Sequence, residues 1–514
     1  MMQLIIEFAY TDSVCVTKEN VQELLMAADQ FNVMGIIEAC SDFIGEQLCS
    51  ENCINIWRFT KICISPKLQL KAYRYITDHF EDVIGCDEFL ELSVEEFIDF
   101  LDRDDLNVRE ESTVCEAVMR WIRHEPAERL GHIGDLLWKV RLALMSEDYI
   151  TNNLQSNELL ENNRKCQTLI NAAKNIVNHL VTYGPSPCGL FNRLARPRLP
   201  NAILLATGGF SSGDPTNCIK AYDFKANDWI DITNHLEDPL SYHGAVFLDG
   251  YVYCIGGFER MEYINTVRRF DLKTRTWQEV GPMHCRRCYM SVAVLNGCIY
   301  AMGGYDGNTR LNSAECYYPD TNKWTEIAPM FEQRSHASGT TLDEKIYICG
   351  GYNGNECLEM AEYYIPEVNQ WTRIAPMTIQ RGGVGVIAYA GHVFAVGGSD
   401  GSNHHRTTEA YNPLTNTWTE VSSMINPRSN FGIEVLDRRI FAVGGFTGFT
   451  NTCKVEYYDI TTNEWTEAHD MNISRTGLSC CVIYGLPNMA EYAVPRDLPL
   501  ALVEEMEWES SGSN

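Results

Sequence analysis

Five arginines recur in phase through the second half of the chain and could together bind an anion. In a repeat protein, equivalent positions fall on one face, so their guanidinium groups could form a ring that binds carboxylates bidentately. An acidic segment of a protein partner would be the matching ligand. The alternative is structural, with each arginine bracing neighbouring repeats through bonds to loop carbonyls, and the sequence leaves both interpretations open. Each arginine stands four residues after a methionine and ten after a tryptophan: Arg287, Arg334, Arg381, Arg428 and Arg475.

A second set of candidate residues lies in short loops that share their glycines but differ in charge. The loops read YDGNTRLN (305–312), YNGNECLE (352–359), SDGSNHHR (399–406) and FTGFTNTC (446–453). A constant frame with variable side chains is typical of a binding surface built on a scaffold. We therefore predict that these loops contact a protein substrate. The polar residues predicted to do so are Asp306, Asn308, Arg310, Asn353, Asn355, Asp400 and Asn403.

Enzyme and metal signatures are weak. The sequence contains no P-loop, no GxSxG and no HExxH motif. Cys285 and Cys288 form a single CxxC pair without a second one, which disfavours a zinc site. His404 and His405 are adjacent, so their side chains point in different directions on most backbones. We predict no catalytic residues, no cofactor and no metal.

The composition narrows the class of partner and the compartment. The formal net charge of -28 argues against nucleic acid, whose phosphates would repel the chain. No apolar run of about 18 residues occurs, so we expect no membrane partner. The opening residues MMQLIIEFAY make a poor signal peptide, and 20 cysteines are then expected to be reduced thiols. The predicted location is the cytoplasm, with the nucleus as the alternative.

A repeat in the second half of the chain must position these candidates. A Gly-Gly pair is followed 20 residues later by a lone Trp, six times, and both series step by 48 and then by 47. Four short strand-like segments in each unit predict one blade of a β-propeller. The glycines are expected to allow close backbone approach, and the tryptophans to fill the space between blades. These structural residues are Gly208, Gly209, Trp229, Gly256, Gly257, Trp277, Gly303, Gly304, Trp324, Gly350, Gly351, Trp371, Gly397, Gly398, Trp418, Gly444, Gly445 and Trp465.

The two ends of the repeat region predict how the ring closes. The first repeat starts with AILLATGG (202–209) and has no strand before it, whereas RTGLSCCVIYG (475–485) is a strand without a following Gly pair. The C-terminal strand should therefore complete the first blade, which leaves no open sheet edge. We predict a six-bladed propeller over 202–486 and a disordered acidic tail over 487–514.

The first 200 residues are predicted to be helical. Val21, Leu24 and Leu25 follow the spacing of one buried helical face. Ser93 and Glu96 have the spacing of a capping box. The segment 183–201 is rich in proline and glycine and predicts a linker to the propeller.

The helical half contains segments that resemble known domains. VTKENVQELLMAADQFNVMGIIEACSDFI (16–44) is similar to the closing helices of a BTB domain. FLELSVEEFIDFLDRDDLNV (89–108), AVMRWIRH (117–124) and KVRLALMSEDYI (139–150) resemble a BACK domain. With the repeats downstream, the chain resembles a BTB-BACK-kelch protein. The resemblance implies a BTB remnant over 1–50, a BACK domain over 51–182 and a kelch propeller over 202–486.

The resemblance also implies a function. Similar proteins are substrate-recognition adaptors of a cullin-3 RING ubiquitin ligase: the propeller loops hold the target and the N-terminal helices hold the cullin. Cullin contacts would fall at Phe31, Asn32 and Val33 and around residues 52–62. The front of the BTB domain is missing from this chain, so a homodimer is expected only where a full BTB domain exists. The alternatives are a scaffolding or cytoskeletal protein, and a short form that binds targets without cullin.

Overall fold

The computed structural model describes residues 1–63, 65–161, 163–183, 192–233 and 238–496. It divides into two compact units. The first holds Met1–Asn201 and, at the other end of the described chain, Pro495 and Arg496; the second is Ala202–Val494. An N-terminal helical region followed by a six-bladed propeller confirms the predicted fold class. No helix among the described residues is both long enough and apolar enough to cross a membrane.

The first unit contains α-helices joined by short turns. Its described α-helices are α1 Met2–Thr11, α2 Val21–Gln30, α3 Met34–Glu46, α4 Cys53–Ile62, α5 Pro66–Asp78, α6 Phe80–Val83, α7 Asp87–Leu90, α8 Val94–Asp102, α9 Glu111–His124, α10 Pro126–Arg129, α11 Ile133–Leu137, α12 Glu147–Tyr149, α13 Glu158–Glu161 and α14 Arg164–Tyr183. A π-helical turn spans Ile150–Gln155.

Local signals in the sequence determine where these helices begin and end. The Ser93 hydroxyl accepts a hydrogen bond from the Glu96 N–H, and the Glu96 carboxylate accepts one from the Ser93 N–H. This reciprocal pair starts α8 and confirms the predicted capping box. Helix α9 ends at His124, two residues before Pro126, because proline restricts the residue before it and lacks an N–H. Apolar faces of the helices form two cores, one under α1–α3 and a larger one under α4–α14.

The prediction of a linker over 183–201 is wrong for the second half of that range. Leu194 and Ala195 are only 4% exposed and belong to the larger helical core. The Arg198 guanidinium donates to the Glu111 carboxylate and to the Leu101 carbonyl, at 3.3 and 3.1 Å. Residues 192–201 are thus held by apolar packing and a buried ion pair, which a count of prolines and glycines does not reveal. Residues 184–191 lie outside the described part of the chain.

The second unit is a ring of four-stranded antiparallel sheets, the blades. Blade 1 has strand order β26-β1-β4-β5, and blades 2 to 6 each use four consecutive strands. The strands are β1 Ala202–Thr207, β2 Phe210–Ser211, β3 Asp214–Pro215, β4 Ile219–Asp223, β5 Asp228–Asp231, β6 Gly244–Leu248, β7 Tyr251–Glu259, β8 Glu262–Asp271, β9 Thr276–Val280, β10 Ser291–Leu295, β11 Cys298–Met302, β12 Ala314–Tyr318, β13 Lys323–Ile327, β14 Ser338–Leu342, β15 Lys345–Cys349, β16 Ala361–Ile365, β17 Gln370–Arg373, β18 Gly385–Tyr389, β19 His392–Val396, β20 Thr408–Asn412, β21 Thr417–Val421, β22 Gly432–Leu436, β23 Arg439–Val443, β24 Val455–Asp459, β25 Glu464–Glu467 and β26 Ser479–Tyr484.

The in-phase glycines and tryptophans join one blade to the next. Gly303 has φ of 63°, and a Cβ atom there would stand 2.4 Å from the Arg334 carbonyl oxygen, so only glycine fits. The Trp324 indole N–H donates to the Gly281 carbonyl of the preceding blade at 2.8 Å. Its ring packs on that of Tyr317, with centroids 5.2 Å apart. The Trp324 side chain therefore contributes both apolar packing and one hydrogen bond between blades.

The ring closes through its C-terminal strand, as the sequence predicts. Strand β26 pairs antiparallel with β1 over six residues, from Ala202 opposite Tyr484 to Thr207 opposite Ser479. Beyond β26, however, the prediction of a disordered tail is wrong for residues 487–496. The side chain of Tyr492 is fully buried and its hydroxyl donates to the Leu272 carbonyl at 2.7 Å. The Val494 N–H donates to the Asp223 carboxylate. Residues 497–514 lie outside the described part.

The closing strand generates a testable prediction. Ile483 in β26 is fully buried, whereas its neighbour Tyr484 is 61% exposed. We expect Ile483→Ala to destabilise the propeller by about 2–5 kcal/mol, because it leaves a cavity in the closing blade. Tyr484→Ala is the matched control and should cost about 1 kcal/mol or less. Urea unfolding followed by tryptophan fluorescence would measure both. Equal effects would contradict the role given to β26.

Candidate functional site: the loop face of the propeller

The five in-phase arginines do not form an exposed basic ring. Arg287, Arg334, Arg381, Arg428 and Arg475 are each at most 1% exposed. Their guanidinium groups already bond to protein atoms inside the blades. The prediction that these five side chains bind substrate is therefore corrected, and the alternative interpretation, bracing of neighbouring blades, describes their contacts.

Arg381 illustrates how four of these arginines pair with a glutamate. Arg381 lies in the loop that leads into blade 5 and extends into that blade. One guanidinium nitrogen donates to the carbonyls of Gly397 and Thr407, at 2.7 and 2.9 Å. The other nitrogens donate to the Glu409 carboxylate, at 3.0 and 2.8 Å. The other three guanidinium–carboxylate pairs are Arg287–Glu315, Arg334–Glu362 and Arg428–Glu456.

The glutamates return a bond to the loop that carries the arginine. The second carboxylate oxygen of Glu409 accepts the Thr378 N–H at 2.8 Å, three residues before Arg381 in the chain. Glu315 accepts the His284 N–H in the same way. Burial alone would raise the pKa of Glu315, but its bonds from His284 and Arg287 hold that pKa below the usual value. These glutamates recur 28 residues after their arginines, a sequence signal that the analysis of the arginines alone missed.

Two junctions depart from this pattern. Lys220 occupies the glutamate position in blade 1. Arg475 keeps the two carbonyl bonds, to Gly208 and Cys218 at 2.9 and 2.7 Å, and donates to the Ala206 carbonyl at 3.1 Å where the other arginines meet a carboxylate. In blade 2 the arginine position holds Leu240 and the glutamate position holds Arg268. The Arg–Glu brace is thus confined to the junctions leading into blades 3 to 6.

Three of the predicted substrate-binding residues close their own loops. The carboxylate of Asp306 accepts the N–H groups of Asn308 and Thr309, both at 2.7 Å. Asn353 and Asp400 make the same pair of bonds in their loops. These bonds form the turn that the short polar side chain favours at its position. The exposed side chains at the loop tips are instead those of Asn308, Asn355 and Asn403.

Arg310 is the predicted loop cation that remains partly exposed on this face. Its guanidinium lies over the ring of Tyr305 at 4.1 Å and near that of Tyr352 at 5.4 Å. Its Nε atom donates to the Ser335 hydroxyl at 3.2 Å. The ring of Tyr263 meets that of Tyr305 edge-on at 5.2 Å. We call Arg310, Tyr263, Tyr305 and Tyr352 the Arg310 cluster; aromatic and arginine side chains of this kind dominate protein interfaces.

A ring of backbone hydrogen bonds surrounds the central channel on the same face. Six residues, one from each blade, donate their N–H to the carbonyl of the equivalent residue in the preceding blade, at 2.7–3.0 Å. Each has a positive φ. No single residue type marks this ring in the sequence, but its members recur two residues after the arginine position. The ring, called the mouth ring below, consists of Tyr242, Tyr289, His336, Gly383, Asn430 and Gly477.

The residues predicted to contact cullin lie in the turn between α2 and α3. Phe31 is 54% exposed, and Asn32 has φ of 51°, so the chain reverses sharply at this point. Val33 is half-buried beside them. Of the second predicted contact, around 52–62, helix α4 buries Cys53, Ile54 and Trp57 in the core. Its exposed residues are the ones that could reach a partner.

The described residues show no group of three or more His, Cys, Asp or Glu side chains placed to hold a metal ion. His404 packs edge-on against the ring of Phe446 at 5.3 Å. The neighbouring His405 lies 3.6 Å from the Asp400 carboxylate. The two imidazoles therefore have different surroundings.

The braces generate a second prediction. We expect Arg381→Met to destabilise the propeller by about 3–5 kcal/mol, because it leaves the Glu409 carboxylate buried without a cation. The double variant R381M/E409M should lose less than either single variant, because it removes both charges. Arg373→Met is the control, since the Arg373–Glu332 pair is exposed and should contribute about 1 kcal/mol or less. Additive losses in the double variant, measured by urea unfolding, would contradict the brace.

Comparison with known proteins agrees with this architecture. The BTB/POZ domain model matches residues 1–48, and the model for BACK (BTB And C-terminal Kelch) matches 53–155. The Kelch motif model matches five times, over 239–284, 286–331, 333–378, 380–425 and 427–472.

Similar proteins include kelch-like protein 3 from Pongo abelii and from Mus musculus, each 35% identical, and from Bos taurus, 36% identical. Each alignment covers 258 residues, which is 49% of this chain and 43% of the relative, so less than half of each relative is matched. The chain thus combines a BTB segment, a BACK domain and kelch repeats, the domain order of the kelch-like family.

Proposed function

We propose that this protein is a substrate-recognition adaptor of a cullin-3 RING ubiquitin ligase. The propeller holds the target protein through its loop face, and the N-terminal helices hold the cullin. The chain itself makes and breaks no bond in this function. It raises the effective concentration of the target's lysines near a ubiquitin-loaded partner.

The observation that carries the proposal is the contrast between a repeated frame and variable loops. Charged braces and glycines hold four blade junctions in one geometry, while the loops above them present different side chains. A rigid scaffold of this kind reduces the entropy lost when a partner binds. Side chains on such loops determine which partner binds, as in other scaffold-supported recognition surfaces.

The Arg310 cluster is the anchor that we propose for the target. The Arg310 guanidinium lies over the Tyr305 ring and near the Tyr352 ring, an arrangement suited to a carboxylate flanked by apolar or aromatic residues. An acidic segment of a target also complements this local cation in a chain whose net charge is -28. Asn308, exposed at the tip of the same loop, and Asn355, exposed at the tip of the next loop, would add adaptable hydrogen bonds.

The proposal also includes a cellular location and a likeness to one member of the family. We propose a cytoplasmic location, with the nucleus as the alternative. The N-terminal and repeat motifs also suggest a likeness to kelch-like protein 10 and a role in germ cells. The matched relatives support the kelch-like family and leave this finer likeness a proposal.

The target-binding surface generates a third prediction. We expect Arg310→Ala to weaken target binding by about 2 kcal/mol, roughly 30-fold, because it removes the charged centre of the cluster. The melting temperature should change little, because an exposed cation–π contact contributes only about 1 kcal/mol. Arg373→Ala, which removes an exposed arginine of strand β17 that lies outside the Arg310 cluster, is the matched control. The measurement is quantitative recovery of partners captured from cells.

Unchanged recovery with Arg310→Ala would exclude this cluster as the anchor. A large loss of stability would show instead that Arg310 is a further brace.

The cullin contact generates a fourth prediction. We expect Phe31→Ala to reduce recovery of cullin-3 roughly tenfold without reducing recovery of the target, because Phe31 presents an exposed ring at the α2–α3 turn. Met26→Ala, which truncates another exposed apolar side chain of α2, is the control. Strong target recovery without cullin-3 in the unsubstituted protein would favour a scaffold, or a form that binds targets without a ligase.

A further inference from the structure

The propeller encloses a central channel whose walls present both polar and apolar surface. The inner strands β6, β10, β14, β18, β22 and β26 surround a cavity of about 540 Å³. Side chains such as Val246, Ala293, Ile387 and Val435 line it. One end opens at the mouth ring, and the other passes Tyr484, which is 61% exposed. The channel is therefore accessible from solvent, and these four side chains offer apolar contacts within it.

Glu434 is the one carboxylate among the described residues that line this cavity. It is the third residue of its inner strand, and the other five blades carry neutral side chains at that place: Val246, Ala293, Thr340, Ile387 and Cys481. Nothing in the repeat frame requires an acid at this position. An ionised acid in a confined cavity carries a desolvation cost, which either protonation or a cationic partner can offset.

The polar groups of the wall do not supply that partner. The Ser479 hydroxyl oxygen accepts the Ala245 N–H at 2.9 Å, and that of Ser338 accepts the Val386 N–H at 3.0 Å. The Thr340 hydroxyl accepts the Ala388 N–H at 2.9 Å. These hydroxyls connect neighbouring inner strands. The favourable contact found for the Glu434 carboxylate is with the backbone N–H of Val435, and no cation of the described chain pairs with it.

The titratable groups around Glu434 are neutral near pH 7. Burial raises the pKa of Glu434 to about 8. Burial also raises the pKa of the Cys481 thiol on the adjacent strand β26 far above its usual value. Toward the mouth ring, burial lowers the pKa of His243 to about 3 and that of His336 to about 4. The channel therefore contains one ionisable acid and no positive charge.

We propose that the channel binds a short linear alkylammonium ion, with Glu434 as its counter-ion and apolar side chains such as Val246, Ile387 and Val435 packed against its alkyl chain. A divalent metal is a poorer match, because it needs six or so oxygen ligands and only one carboxylate lines the cavity.

The experiment titrates the full chain with n-butylamine and, separately, with n-butanol, its uncharged analogue of similar shape. We expect saturable binding of the ammonium ion alone, measured by isothermal titration calorimetry. Because binding an ammonium ion favours the carboxylate, close to one proton should be released for each amine at about pH 7. At about pH 9.5, where Glu434 is already ionised, almost none should be released.

Glu434→Gln is the matched variant, with nearly the same shape and no charge, and should weaken butylamine binding at least roughly tenfold. Glu434→Thr is a second variant, since blade 4 already carries Thr340 at this place. Three outcomes would each overturn the proposal. They are equal binding of butylamine and butanol, no saturable binding of butylamine, and equal butylamine affinity in the two variants and the unsubstituted protein.

Discussion

Buried charge pairs between successive blades are the interaction on which the propeller geometry depends. Each pair joins an arginine from one connecting loop to a glutamate in the next blade, and the glutamate bonds back to the loop that carries the arginine. A buried charge without its partner is costly, so each member requires the other in place. The pairs therefore fix how neighbouring blades meet. Loops above this frame can vary in sequence without changing the ring that carries them.

The remaining junctions show how the ring manages without that pair. Blade 1 has Lys220 where the glutamate recurs, and it is the blade that the two ends of the propeller chain build together. Six paired residues between β26 and β1 connect the ends, and the mouth ring of backbone bonds runs through all six blades. The ring is thus closed by backbone pairing in blade 1, where the arginine has no glutamate partner. Rigidity around the ring is what allows the loop face to act as one surface.

The sequence was informative wherever a structural requirement repeats within the chain. The glycine and tryptophan period predicts the blades, and the unmatched strands at the two ends predict closure, because both features are local patterns. The spacing of the arginines leaves both ligand binding and bracing open, because spacing tells where a residue lies in a blade but not whether its side chain points inward. The glutamates recurring 28 residues later carried that information. Residues 192–201 and 487–496 carry no local pattern that predicts structure. The partners that hold them in place, Glu111 and Leu272, are distant in the sequence.

The loop face combines this rigid frame with the chemistry of the Arg310 cluster, and its use as a protein-binding surface is the central claim. Hydrogen exchange of the propeller, with and without a captured target, tests that claim most directly. The account predicts slower exchange in the loops 305–312 and 352–359, with no change in the turns 319–322 and 413–416 on the opposite face. Protection confined to the opposite turns, or absent from the loops when the target is bound, would contradict it.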